Sequence, residues 1–370
     1  MKRATYEVAQ VLDRNSGNLH ECCHNSWQLR TLHALRKCRT VALGGHIDRC
    51  NNPDCNKLHL SYNSCRNRHC PKCQGHQKEQ WIRAREEELL SVSYFHVVFT
   101  LPQQLNQWCL HQPELIYGLL FKVSWQVIRD FAANHKFLGA RPGMIAVLHT
   151  WGQNLSLHPH LHCIVPGGGI TACGKWKPAK NKGKYLFPVK AMSKVFRARF
   201  VATLRKRSAT RKAPGFYEDL FKNQWVVYCK RPFLGPSQVI EYLGRYTHKI
   251  AISNHRIKTL DDGGVTFSVK DYRQGGKKSL MRLSDAEFIR RFAMHVLPKG
   301  FVRIRHYGML SSYHKKITLT TLRLTLKPIG IKERAPLKHS LCPHCKKGKL
   351  ITIAIFTARG PPEHWLKRLE

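Results

Sequence analysis

Eight of the chain's fourteen cysteines fall between Cys22 and Cys73, interspersed with His46, His59 and His69. In a reducing compartment such thiols do not form structural disulfides, so the clustering favours metal over redox chemistry. The spacing is Cys50-x4-Cys55 followed by Cys65-x4-Cys70-Pro71-Lys72-Cys73. A tetrahedral zinc ion wants four sulfur or nitrogen ligands, and two ligand pairs separated by a short β-ribbon provide them. Cys50, Cys55, Cys70 and Cys73 are the expected set, with Cys65, His69, His46, His59 and Cys38 as spare ligands for a second ion. The rival reading is buried, unligated cysteines. Arg66, Arg68 and Lys72 lie between the ligands and are expected to meet phosphates. A further pair, Cys342-Pro343-His344-Cys345, reads either as a zinc site with His339, His344 or a distant ligand or as the remnant of a longer knuckle.

The chain has 370 residues with 63 Lys and Arg against 22 Asp and Glu, a net charge of +41. That much like charge weakens a fold by self-repulsion unless a polyanion relieves it. Nucleic acid is the default partner, because each neutralised phosphate releases counterions. An anionic membrane surface or the ribosome is the alternative. The hydrophobic fraction of 42% is that of a folded protein rather than a disordered one. There is no run of 18 apolar residues and no apolar stretch near Met1, so a cytoplasmic, nucleoid-associated protein without a membrane anchor is expected.

Residues 93–101 are β-branched and aromatic, stop at Pro102 and read as a strand. Residues 143–150 and 155–165 read as two adjacent strands, and 264–270 as another. Helices are expected over 27–39, 76–91, 113–135, 192–209, 238–250 and 284–296, the last opened by Ser284-Asp285. Strands and helices without a regular βαβ rhythm predict an α+β fold. Three parts are expected: a zinc-binding, DNA-contacting module over 1–90, a catalytic domain over 91–310, and a basic C-terminal region over 311–370.

The second of the adjacent strands carries His158-Pro159-His160-Leu161-His162. Side chains alternate faces in a strand, so the three imidazoles share one face and Leu161 packs on the other. Neutral imidazole is the commonest metal ligand, and a divalent cation here would polarise a phosphodiester oxygen. His160 and His162 are the expected pair, with His158 or Gln153 as third ligand. Downstream, Tyr242 and Tyr246 are four residues apart and so share one helix face. A free phenol has a pKa of about 10, so a nucleophilic tyrosine needs help from cations such as Arg245 and Lys249 or from a metal on the phosphate. Structural histidines and core or base-stacking tyrosines are the bland alternatives.

Together these residues resemble the HUH-superfamily rolling-circle transposases of the two-tyrosine insertion-sequence class. The resemblance rests on His160-Leu161-His162, on Tyr242-Leu243-Gly244-Arg245-Tyr246, and on the blocks Ser61–Gln74, Phe95–Pro102, Tyr246–Asn254 and His295–Gly308 in fixed order. It implies a central antiparallel sheet flanked by helices with the His strand in its middle. It also implies single-strand DNA nicking and rejoining at element ends through a 5′-phosphotyrosine, with Mg²⁺ or Mn²⁺ on His160, His162 and a third ligand. The strand transfers need no ATP, in keeping with the lack of a Walker motif, and with no helicase domain read in the sequence, host replication or helicase machinery is expected to unwind the duplex. A replication initiator or relaxase shares this chemistry, and a non-catalytic zinc-bearing DNA-binding protein would need none of it.

Overall fold

The structure, a computed structural model, describes residues 4–366 except 74–79, 85–88, 181–185, 209–214, 234–238, 240–243, 245–249, 272–274 and 327–340. In chain order its strands are β1 (Gly45–Cys50), β2 (Leu58–Tyr62), β3 (Tyr94–Thr100), β4 (Gly143–Trp151), β5 (Leu157–Pro166), β6 (Gly168–Ile170), β7 (Trp176–Pro178), β8 (Val227–Phe233), β9 (Ile257–Asp261), β10 (Gly264–Asp271), β11 (Lys277–Ser284), β12 (Ile304–Gly308) and β13 (Leu350–Phe356). With the helices between them they form a mixed α+β fold built on antiparallel sheets.

Five strands form the largest sheet, in the order β12-β4-β5-β3-β8, so β5 is its central strand. Period-two alternation divides β5 cleanly. Leu161, Cys163 and Val165 join Val97 and Phe99 of β3 in the main core, packed on the helices Pro113–Ala133 and Val189–Arg207 through Ile116, Leu120, Phe196 and Phe200. His160, His162 and Ile164 therefore occupy the opposite face. Pro113 opens the long helix at a position where its missing N–H costs nothing.

A second core joins the N-terminal module to a distant part of the chain. Val11 and Leu12 of the helix Val8–Arg14, and Leu32 and Leu35 of the helix Ser26–Arg36, pack with Phe267 of β10 and Phe288 and Phe292 of the helix Asp285–Ala293. Arg14 pairs with the largely buried Asp285 at 2.7 Å across this junction. Asn25 and Ser284 cap the second and third of these helices, accepting from the N–H groups of Gln28 and Glu287.

A separate three-stranded sheet has the order β13-β1-β2. Residues 311–370, expected as a basic C-terminal region with a CxxC pair, include β13, which is hydrogen-bonded along β1 from Gly45–Phe356 to Cys50–Leu350. Charge hid the alternating Ile351, Ile353 and Ile355, which favour a strand. Of the expected helix over 76–91, residues 80–84 are helical and most of the rest lies outside the described residues. Among the described residues no helix is long and apolar enough to cross a membrane.

Candidate active site and metal centres

Three imidazoles, those of His149, His160 and His162, place one nitrogen each within 4.8 Å of one another. His149 stands directly opposite His160 in the β4–β5 ladder. Each of the two β5 rings is held at Nδ1. His160 Nδ1 lies 2.6 Å from the backbone oxygen of His158, which only accepts, so Nδ1 carries the proton and donates. His162 Nδ1 lies 2.8 Å from His96 Nε2 on β3. The two Nε2 atoms then face each other at 3.1 Å. A cation or a proton between them would satisfy both nitrogens. The separation fits neighbouring ligands on one ion, since nitrogens at about 2.1 Å from a divalent cation sit about 3.0–3.4 Å apart. Burial drives the His96 pKa down to about 4, with Lys230 and His160 adding to the shift, so His96 is neutral and able to accept from His162.

His158 and Gln153, the expected third ligands, are not among the converging groups. The His158 ring is exposed, 5.2 Å from that of His160, and the residue acts through its carbonyl. Gln153 lies in the turn between β4 and β5, where its carbonyl accepts from Arg256. His149 instead completes the converging group of imidazoles, because the hairpin folds residue 149 back beside 160. The signal in the sequence was that return register, which a search along a single strand does not reach. Tyr242, Tyr246, Arg245 and Lys249 lie outside the described residues. Their neighbour Val239 is described: it is buried against Tyr94 and Ile164, on the sheet face that carries His162.

The cysteines assemble differently from expectation. Cys50 and Cys55 do not share a site with Cys70 and Cys73. Cys38, Cys65, Cys70 and Cys73 form one group, and Cys50, Cys55, Cys342 and Cys345 form another. The reason is the β-ribbon. Cys50 ends β1 and Cys55 lies in the β1–β2 turn, away from the Cys70 knuckle, which packs beneath the end of the helix Ser26–Arg36 beside Cys38. Sulfur separations are 3.5 Å for Cys38–Cys73 and 3.7 Å for Cys65–Cys73 in the first group. They are 3.6 Å for Cys50–Cys345 and 3.8 Å for Cys55–Cys342 in the second. Zinc–thiolate bonds of about 2.3 Å give a tetrahedron edge of about 3.8 Å, so both four-thiol clusters support zinc. His69 is not a ligand. It is buried beside Arg68, Arg303 and His295, and its Nε2 accepts the Leu297 N–H at 3.3 Å.

Comparison with known proteins shows the family of the chain. "Putative transposase y4qJ" of Sinorhizobium fredii (strain NBRC 101917 / NGR234) is 42% identical over 402 aligned positions covering 99% of both chains. The chain belongs to the IS91 transposase family. Its residues 11–101 match the transposase zinc-binding domain of that family, and 143–317 match the family described as "Putative transposase". "Transposase for insertion sequence element IS801" of Pseudomonas savastanoi pv. phaseolicola is 27% identical, over 77% of this chain and 70% of that protein. No solved structure matches the chain.

A transposase must hold DNA, and the three expected phosphate contacts in the zinc module divide. Arg66 is exposed and lines a cavity of about 780 Å³ with Arg39, His46, His59 and Tyr62. Arg68 instead donates to the carbonyls of Pro298, at 2.8 Å, and Phe301. Lys72 pairs with Glu7 at 2.6 Å and caps the Cys38 carbonyl at 3.2 Å. In this transposase Arg68 fastens the module to the segment around Pro298 and Phe301, and Lys72 ties the knuckle to other parts of the module itself.

Proposed function

We propose that this transposase nicks and rejoins single-stranded DNA by tyrosine transesterification, with His149, His160 and His162 holding the divalent cation, Mg²⁺ or Mn²⁺. The observation that carries the reading is the inward aim of the His160 and His162 Nε2 atoms, fixed by the His158 carbonyl and by His96. Metal-binding histidines are routinely oriented by such partners on the other ring nitrogen. When bound, the cation polarises a phosphate oxygen and offsets charge as phosphorus becomes five-coordinate.

The nucleophiles are Tyr242 and Tyr246. One phenolate oxygen attacks the scissile phosphorus. The P–O3′ bond breaks, the 3′ oxygen leaves as a hydroxyl after taking a proton, and a 5′-phosphotyrosine remains. The ester keeps the bond energy, so the freed or an incoming 3′-OH reseals the strand without ATP, and the second tyrosine permits a second transfer. Val239 supports this assignment. It anchors the chain on the histidine face, and the three residues from it to Tyr242 span at most about 11 Å. Arg245 and Lys249 lower the cost of the phenolate and meet the phosphate backbone. Residues 1–90 contact DNA, 91–310 carry the chemistry, and host replication or helicase machinery separates the strands.

The test is covalent capture. Purified protein is incubated with Mg²⁺ and single-stranded oligonucleotides carrying the ends of its element, then run on a denaturing gel. An adduct that survives Tyr242→Phe or Tyr246→Phe alone but not both supports two nucleophiles. Tight, salt-sensitive binding with no adduct on any end sequence rejects the mechanism in favour of a binding protein.

A further inference from the structure

The region matching the family's zinc-binding domain stops at residue 101, yet Cys50 and Cys55 find their partners at Cys342 and Cys345. We infer that these four thiolates form a second zinc site, independent of the first, whose role is to clasp β13 onto the N-terminal sheet.

The C-terminal half of the site is a built knuckle. Leu341 bridges Lys349 in antiparallel fashion, Cys342 N–H donates to the Gly348 carbonyl at 2.7 Å, and Lys346 adopts a left-handed turn conformation at φ 57°. That turn aims the Gly348 N–H at Cys345 Sγ, 3.3 Å away. An N–H donated to sulfur stabilises a thiolate and suits a metal ligand. Gly348 is required by close approach, because a methyl group there would collide with Cys50 Sγ. Asn51 completes the junction by accepting the Lys349 N–H at 2.7 Å and donating its own N–H to the Lys349 carbonyl at 2.9 Å.

β13 needs such a clasp. It is an edge strand with only Phe356 buried, while Ile351 and Ile355 are 53% and 81% exposed. Its side chains contribute little apolar burial, and a strand held mainly by ladder hydrogen bonds is marginal in water. One polar tie, from the Thr352 hydroxyl to Asp48 at 2.7 Å, is added on the sheet face. Four thiolates around one ion hold far more firmly than that single bond, since structural zinc is enough to drive the folding of small domains outright. All-thiolate donors in a tetrahedral array select zinc over Mg²⁺ or Mn²⁺.

The test uses the full chain. Elemental analysis of dialysed, reduced protein should give two zinc ions per chain, falling to one in Cys342→Ser/Cys345→Ser. In that variant, hydrogen exchange should quicken at least tenfold in peptides covering 45–50 and 350–356 and stay unchanged over 157–166. Thiol labelling of the unmutated protein gives an answer even if the variant fails to fold. The exposed Cys173 should react at once, while Cys50, Cys55, Cys342 and Cys345 stay protected until a chelator is added and then react together. One zinc per chain with Cys342 and Cys345 labelled as fast as Cys173 overturns the site. Loss of zinc with exchange in β13 unchanged overturns the clasp.

Discussion

His96 Nε2 sits 2.8 Å from His162 Nδ1, linking β3 to the central strand of the sheet behind the candidate metal site. The bond fixes which nitrogen of His162 faces inward. Replacing His96 with Phe keeps the ring's bulk and removes the acceptor. We expect Mn²⁺ affinity to fall about 10- to 100-fold, the range seen when such outer partners are lost. Titration calorimetry with Mn²⁺ checks this, and an unchanged affinity refutes the orienting role.

His149, which no local motif marks, should matter as much as His160. His149→Ala is expected to lose metal-dependent adduct formation, while His158→Ala, which keeps the carbonyl, retains it. Parallel capture gels decide between them. Equal loss in both variants would return the third-ligand role to His158.

Arg66 and Arg68 are expected to separate in opposite experiments. Arg66→Ala should weaken DNA binding and lower the salt slope of log K by about 1. Arg68→Ala should leave the slope unchanged and lower thermal stability, because the part-buried Pro298 and Phe301 carbonyls lose their donor. Binding measured at several salt concentrations, alongside melting curves, tests both.

Acid should destabilise the junction between β4 and the helix Asp285–Ala293. His295 is buried, with its Nε2–H donating to the Leu155 carbonyl at 3.0 Å and its Nδ1 accepting from the Thr150 hydroxyl at 3.1 Å. Burial pushes its pKa down to about 4. Between that value and the unfolded value of about 6.5, only the unfolded chain takes the proton. The contribution is therefore complete above pH 6.5 and is lost as pH falls through about 4, on the order of 3 kcal/mol in total. Denaturant midpoints measured from pH 7 to 4.5 should fall, and His295→Gln should flatten that fall.

Local periodicity in the sequence reaches far into this fold. The strands near 94–100, 143–151 and 157–166 and the helices at 113–133, 189–207 and 285–293 stand close to where apolar spacing and capping residues place them. The pairings across long separations were not legible. His149 joins His160 through hairpin register, and Cys38 joins Cys73 through packing of a helix end on a knuckle. Cys50 meets Cys345 because β13 returns to β1. Ligand spacing along the chain records neighbours in sequence, whereas a tetrahedron needs neighbours in space. Arg68 and Lys72 show the same limit for charge, since their partners are carbonyls and a carboxylate that only the fold brings near.

The split thiolate site also imposes an order on synthesis. Cys55 and Cys342 are separated by 287 residues, so at about 5–20 residues per second the early pair waits roughly 15 to 60 seconds on the ribosome for the late one. During that interval the amino-terminal sheet lacks an edge strand and two sulfurs. Only a polypeptide translated through the distal knuckle can close it, so a chain cut short before Cys342 keeps its half-site open.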